Sequence, residues 1–322
     1  MRAVLLREFG SAKNLKAEEM PMPQPRAGEV RVKVEAAGLN FTEIIQRRGP
    51  SAAPLPRILG SEFAGTVDAL GEGVRDFQVG DRVTTQSGTA GYAEYAIAPA
   101  QRLVRIPSVI DFDVAVAATL QGMTAHYLAF STYPLKWGDT ALIHAAAGGV
   151  GQILVQLAKL CGADVIATVS TDEKARLVSG LGADAVINYT LNDFEAEVKR
   201  ITEGKGVSVV YDSVGKDTFA KGLNCLRPRG MMVIYGASSG QPDPVDTQTL
   251  SAKGSLFLTR PTLVNHVATH AELVQRANDL FDWIISGELK IRVDKHFKFE
   301  EAAQAHEYME GRKTMGKVVL VP

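Results

Sequence analysis

Between residues 140 and 162 an apolar run, TALIHAA, enters a glycine turn and leaves it as VGQILVQLAKLCG, apolar on a helical period and stopped by Gly162. The same rhythm then repeats. DVIATVS is followed by TDEKARLVSGLG, with Thr171 or Ser170 as its N-cap, and ADAVINY by DFEAEVKRIT. VSVVYDSVG leads into a helix from Lys216 to Leu226 and then the strand GMMVIYG. Strands alternating with helices in this way predict βαβ units and a parallel sheet. VIATV and MMVIY are apolar on successive residues, as strands buried on both faces must be.

The chain is 322 residues long, beyond the usual size of one core, which predicts two domains. Up to about residue 120 the text is a different one: EVRVKVEAAG, FAGTVDALG, DRVTTQ and YAEYAIAP are short β-type runs separated by Gly, Pro and Asp. They predict a compact, partly barrel-like antiparallel domain, and EVRVKVE alternates as a strand with one wet face does. After about residue 262 come the helix HAELVQRANDLFDWIISGEL, then IRVDKHFKF, EEAAQAHEYMEGR and GKVVLVP. The parallel sheet has ended by then, so these elements are expected to return to the first domain. The expected division is 1–120, 121–262 and 263–322, the last part rejoining the first.

A net charge of -1 gives no electrostatic case for nucleic acid or an anionic membrane surface. No run approaches the roughly 20 apolar residues of a membrane span, and MRAVLLREFG is broken by charge too early for a signal peptide. A cytoplasmic location is expected. Cys161 and Cys225 are far apart in apolar surroundings, which fits buried inert thiols.

The glycine turn meets the template G-x-G-x-x-G with Ala146 at its first position. Gly148 and Gly149 leave room for a pyrophosphate, Gly151 lets the helix pack on its strand, and the helix N-terminus favours an anion. NAD-binding folds place an acid about 20 residues after the glycines to hold the ribose 2'-hydroxyl. Here Ser170 and Thr171 stand at that point, while Asp172 and Glu173 fall in the following helical turn. A small hydroxyl residue leaves room for a 2'-phosphate, and Lys174, with Arg176 as the alternative cation, neutralises it. The expected cofactor is therefore NADPH.

A zinc-dependent hydride transfer needs Cys, His and carboxylate ligands. No cysteine precedes residue 161 and residues 1–120 contain no histidine, so no metal site is expected. The histidines are His126, His144, His266, His270, His296 and His306. His144 reads as a packed strand residue, His126 as a residue near the cleft, and none joins a Ser-His-Asp or Cys-His set.

Taken together, AAGLNFTEIIQRRG, LGSEFAGTV, VGDRV, GMTAHYL, HAAAGGVG, INY, VVYDSVGKDTF, CLRPRGMMVIYGASSG and GSLFLTRPTL span the chain and resemble the zinc-free NADPH:quinone oxidoreductases. These are the zeta-crystallin-like family of the medium-chain dehydrogenase/reductase superfamily. The resemblance implies an α/β fold, a Rossmann doubly wound parallel sheet plus a GroES-like β domain, with NADPH across the cleft. It also implies Asn40 where zinc alcohol dehydrogenases carry Cys and Ser61 where they carry His, with Asn40 beside the nicotinamide. By the same likeness Thr124, Tyr127, Gly149 and Val150 contact the cofactor, and Ser170, Lys174 and Tyr189 surround its 2'-phosphate. Ser213, Tyr235, Ser238, Arg260 and Arg312 complete the cleft. Some relatives carry a tyrosine where this chain has Ile45, and the loop GPSAAPLPRILG is also tyrosine-free, so a phenol clamp is not expected.

The implied reaction is hydride transfer from NADPH to a quinone with no protein general acid, in a homodimer joined near GSLFLT. Reduction of activated C=C bonds in enals or enones uses the same cofactor geometry and is the alternative. A non-catalytic, crystallin-like NADPH-binding protein is the third reading.

Overall fold

The computed structural model describes residues 1–49 and 54–322. Residues 50–53, part of the loop read above as lacking a phenol, lie outside the described residues. The chain divides into two compact units, Met1–Met123 with Val267–Pro322, and Thr124–His266.

In the first unit β1 (Arg2–Leu6) lies between β2 (Leu15–Glu19) and β4 (Arg57–Ile58). A larger sheet runs β15 (Val293–Lys298), β16 (Lys317–Val321), β3 (Glu29–Leu39), β5 (Phe63–Leu70), β6 (Arg82–Thr85) and β8 (Val104–Arg105), and β7 (Tyr95–Pro99) pairs with β3. In β3 the alternation of EVRVKV is used as written: Val30, Val32 and Val34 enter a core with Phe63, Val83, Tyr92 and Phe299. The alternation then stops, and Ala36 to Leu39 are all buried. Register shifts between β3 and β5 at Arg31/Val32 and Val34/Ala36 bend the sheet into its partly barrel-like form. The last strand is antiparallel to β3, pairing Val318 with Leu39, Val319 with Gly38 and Leu320 with Ala37. That register brings Lys317 to the level of Asn40, across 277 residues of sequence.

Histidine does reach this unit, through the returning segment: His270, His296 and His306 all belong to it. The first 120 residues lack histidine, but the folded unit they help build does not.

The second unit holds β9 (Thr140–Ile143), β10 (Asp164–Val169), β11 (Ala185–Asn188), β12 (Val207–Asp212), β13 (Leu226–Ile234) and β14 (Phe257–Thr259). They form one parallel sheet in the order β11-β10-β9-β12-β13-β14. This is the doubly wound order whose direction reverses between β9 and β12, the switch point at which such sheets take ligands. Leu142, Ile166, Val210, Met232 and Ile234 build its core with Phe194, Val198 and Phe219 from the covering helices. One helix is shorter than its sequence suggested. It spans Phe219–Cys225, because Asp212 draws residues 214 and 215 into a turn and Leu226 already opens β13.

Candidate functional site

The glycine turn is built from the end of β9 outward. His144 N–H donates to Tyr211 C=O at 3.0 Å, and Ala145 takes a left-handed φ of 52°, which turns the chain. Gly148 is then the N-cap of the helix Gly149–Leu160, where the N–H of Gln152 makes a bond to Gly148 C=O at 2.9 Å. The N–H groups of Gly149, Val150 and Gly151 precede that bond, so they are the ones a helix start offers to an anion. Gln152 Nε2 donates to Ala147 C=O at 2.7 Å and holds the turn from inside. Gly151 is required for packing: a Cβ there would lie 2.6 Å from Ala145 O and 2.7 Å from Ala146 Cα. His144 is a packed residue, with Nδ1 2.9 Å from Thr168 Oγ1 and its ring edge-on to Phe194. Burial pushes its imidazole below the ordinary value, and the charge of Asp212 opposes that shift.

Ser170 and Tyr189 stand at neighbouring strand ends because β10 and β11 end side by side, Val169 pairing with Asn188, and Lys174 follows in the helix after β10. Thr171, the second of the two expected caps, is the N-cap of the helix Asp172–Gly180 and accepts from Lys174 N–H at 3.2 Å. Asp172, the first acid after the strand, is engaged elsewhere: Asn188 Nδ2 donates to its Oδ1 at 2.9 Å. Ser170 is partly exposed at the strand end, and Tyr189 is exposed beside it.

A second group gathers at the ends of the neighbouring strands. Asp212, fully buried, accepts from Val214 N–H at 2.7 Å, Gly215 N–H at 3.0 Å and Thr218 Oγ1 at 2.8 Å, fixing the loop that carries Ser213. Ser238 N–H donates to Ser213 C=O at 3.1 Å, and Tyr235 N–H to Asp212 C=O at 2.9 Å. Burial pushes the Tyr235 phenol up to about 12, against a hydrogen bond with Ser213. Arg260 follows β14 and donates to Gln241 Oε1 at 2.6 Å. Thr124 and Tyr127 are buried, and the Tyr127 ring stacks on His266 with centroids 4.2 Å apart. His126 is buried against Phe130.

In the first unit the polar centre surrounds Asn40. This residue is the N-cap of the helix Phe41–Arg48 and is buried. Its N–H donates to Glu43 Oε2 at 3.0 Å, and its Nδ2 donates to Glu62 Oε2 at 2.9 Å. Its Oδ1 accepts from Lys317 Nζ at 2.8 Å, and Lys317 also pairs with Glu62. Glu62 Oε1 accepts from Leu120 N–H at 2.6 Å, and Ser61 Oγ donates to Glu43 Oε1 at 3.1 Å. Burial holds the Glu43 carboxyl above the usual carboxylate range, against the pull of Lys317 and with Glu62 adding to the rise. Ile45 is exposed, and Arg312, at a φ of 56°, sits in the turn after the helix Ala302–Glu310. Cys225 is buried as expected, whereas Cys161 is half-buried.

Sequence reasoning missed Glu43, Glu62, Lys317 and Asp212, and also Gln121, whose Nε2 lies 3.5 Å from Asn40 Oδ1. Lys317 sits in GKVVLVP, where a lysine before an apolar run reads as a solvated strand end. The signal available for Glu62 was only its place beside Ser61.

Residues 26–108 match the family model described as alcohol dehydrogenase GroES-like domain, and residues 149–281 match the one described as zinc-binding dehydrogenase. The residues around Asn40 do not fit a zinc ion. Asn40 and Ser61 are neutral oxygen and nitrogen donors, the Lys317 side chain fills the space beside Glu62, and the described residues contain no metal-holding group of three or more His, Cys, Asp or Glu. The chain is 44% identical to 2-haloacrylate reductase of a Burkholderia species, covering 99% of this chain and 98% of that one. It is 43% identical to quinone oxidoreductase of Pseudomonas aeruginosa, covering 98% and 97%. Among solved structures it is similar to Escherichia coli quinone oxidoreductase complexed with NADPH, at a TM-score of 0.97 and 39% identity over 100% of both chains. With a doubly wound sheet, a GroES-like β unit and this identity over nearly the full length, the chain belongs to the quinone oxidoreductase family of the medium-chain dehydrogenase/reductase superfamily.

Proposed function

We propose that the protein is an NADPH-dependent reductase that delivers hydride to a quinone. The observation that carries the reading is the turn at Gly148, where a parallel strand at the switch point runs into a helix whose first residues, Gly149, Val150 and Gly151, precede its first backbone bond, Gln152 N–H to Gly148 C=O. In this reading Gly148 to Gly151 hold the pyrophosphate, and Ser170, Lys174 and Tyr189 surround the 2'-phosphate. The engagement of Asp172 by Asn188 supports that choice, because it withdraws the first acid available to a ribose hydroxyl. Thr124, Tyr127, Ser213, Tyr235, Ser238 and Arg260, with Asn40 and Arg312, serve the rest of the cofactor.

Bound NADPH supplies the hydride, and a proton from solvent completes the hydroquinone, so the protein's part is to orient the cofactor and exclude water. Reduction of an activated C=C bond is the second reading, favoured by the likeness to 2-haloacrylate reductase. This reading has the protein in the cytoplasm, as a homodimer joined at the edge strand β14, a choice that the exposed Phe257 supports.

The deciding experiment is the initial rate of NADPH oxidation with ortho- and para-quinones against 2-alkenals and enones. Preference for quinones supports the first reading and preference for enals the second. Tight NADPH binding with no turnover overturns both.

A further inference from the structure

A lysine and a glutamate buried side by side need an explanation, because desolvating two charges costs several kcal/mol and an apolar pair of the same volume serves a fold as well or better. Lys317 is 1% exposed and Glu62 is fully buried. The backbone makes room for them at Gly38, where a Cβ would fall 2.1 Å from Glu62 Oε2 and 2.8 Å from Lys317 Nζ. What the pair holds is the carboxamide of Asn40, by both ends. Lys317 Nζ donates to Oδ1 at 2.8 Å, Glu62 Oε2 accepts from Nδ2 at 2.9 Å, and Gln121 Nε2 approaches the same Oδ1 at 3.5 Å.

An ammonium can only donate and a carboxylate can only accept, so this arrangement fixes which end of the amide is oxygen. The oxygen is turned to two donors. Among the described residues the second N–H of Nδ2 is the polar group left over. We propose that Lys317 and Glu62 are positioning residues that present Asn40 to the bound ligand as a hydrogen-bond donor, aimed at an acceptor oxygen at the hydride-transfer site. This inference rests on the reading of Asn40 as a residue beside the nicotinamide, and it goes further in assigning its polarity and the groups that enforce it.

The test is the double variant Lys317→Met/Glu62→Gln, compared with Asn40→Ala and the wild type. The amide that Glu62→Gln introduces still accepts from Leu120 N–H but offers an N–H to Asn40 in place of a carboxylate oxygen, so the Asn40 carboxamide turns over. Four quantities are read: the melting temperature, the NADPH dissociation constant, kcat with the best acceptor, and the isotope effect on kcat from NADPH deuterated at the transferred position.

The expected result is a kcat lowered about 10- to 100-fold, as for Asn40→Ala, with a larger isotope effect and NADPH affinity changed less than about threefold. A wild-type kcat and isotope effect in the double variant, while Asn40→Ala is slow, overturns the positioning role. An Asn40→Ala variant with unaltered NADPH binding and turnover instead removes Asn40 from the site and overturns the underlying reading. Should the double variant fail to fold, Glu62→Gln alone is judged by the same four quantities and the same outcomes.

Discussion

The ring of His306 meets the ring of Tyr92 edge-on, with centroids 6.0 Å apart and planes at 90°. His306 is fully buried, and neither ring nitrogen has a hydrogen-bond partner among the described residues. Burial, with Arg47 adding to it, pushes its imidazole down to about 3 from an ordinary 6.5. It is therefore neutral in the folded chain and takes a proton in the unfolded one as pH falls below 6.5. Stability is lost as pH drops from about 6.5 toward 3, and between pH 7 and pH 5 the loss from this group is about 2 kcal/mol. Urea denaturation of the wild type and His306→Leu at both pH values checks it; the same pH dependence in the two proteins would refute it.

Lys174 tests the choice of cofactor. Lys174→Ala should weaken NADPH binding about 10- to 150-fold, roughly 1.5–3 kcal/mol, and leave NADH binding nearly unchanged. Nucleotide fluorescence titrations with both cofactors measure this. Equal losses for the two would remove Lys174 from the 2'-phosphate.

Two glycines in neighbouring helices should respond in opposite directions. At Gly151 an added Cβ meets only backbone, 2.6 Å from Ala145 O and 2.8 Å from Ala146 O, so Gly151→Ala should cost about 1–3 kcal/mol and weaken NADPH binding. At Gly180, in the helix Asp172–Gly180, a Cβ has nothing within 4 Å, and Gly180→Ala should be neutral or stabilising by up to about 1 kcal/mol. Denaturation midpoints of the two variants decide the matter.

Chelation should leave the activity alone, since the residues around Asn40 do not fit a zinc ion. Protein dialysed against EDTA is expected to retain its full rate of NADPH oxidation, and added zinc is expected to give no increase. A rate restored only by zinc would contradict that reading of the donor set.

The second unit was the easier one to read. TALIHAA, AGGVG and VGQILVQLAKLCG carry their strand, turn and helix in consecutive residues, and the parallel sheet follows from repeating that unit. Within it, Ser170 and Tyr189 belong to successive strand ends, so their meeting follows from the alternation itself. The left-handed turn at Ala145 was less visible, because alanine gives no signal for a positive φ.

By itself the sequence determined the local elements, the doubly wound alternation, the glycine turn between strand and helix, and the lack of Cys and His in the first 120 residues. These rest on periodicity, turn chemistry and residue type, all of which act over a few neighbouring residues. Tertiary structure alone decided the surroundings of Asn40. Glu62 and Lys317 reach it from strands and loops 22 and 277 residues away, through the register that pairs Val318 with Leu39 and the space left by Gly38. A buried charge becomes tolerable only when its partner arrives beside it, and that depends on the whole sheet closing rather than on any local pattern.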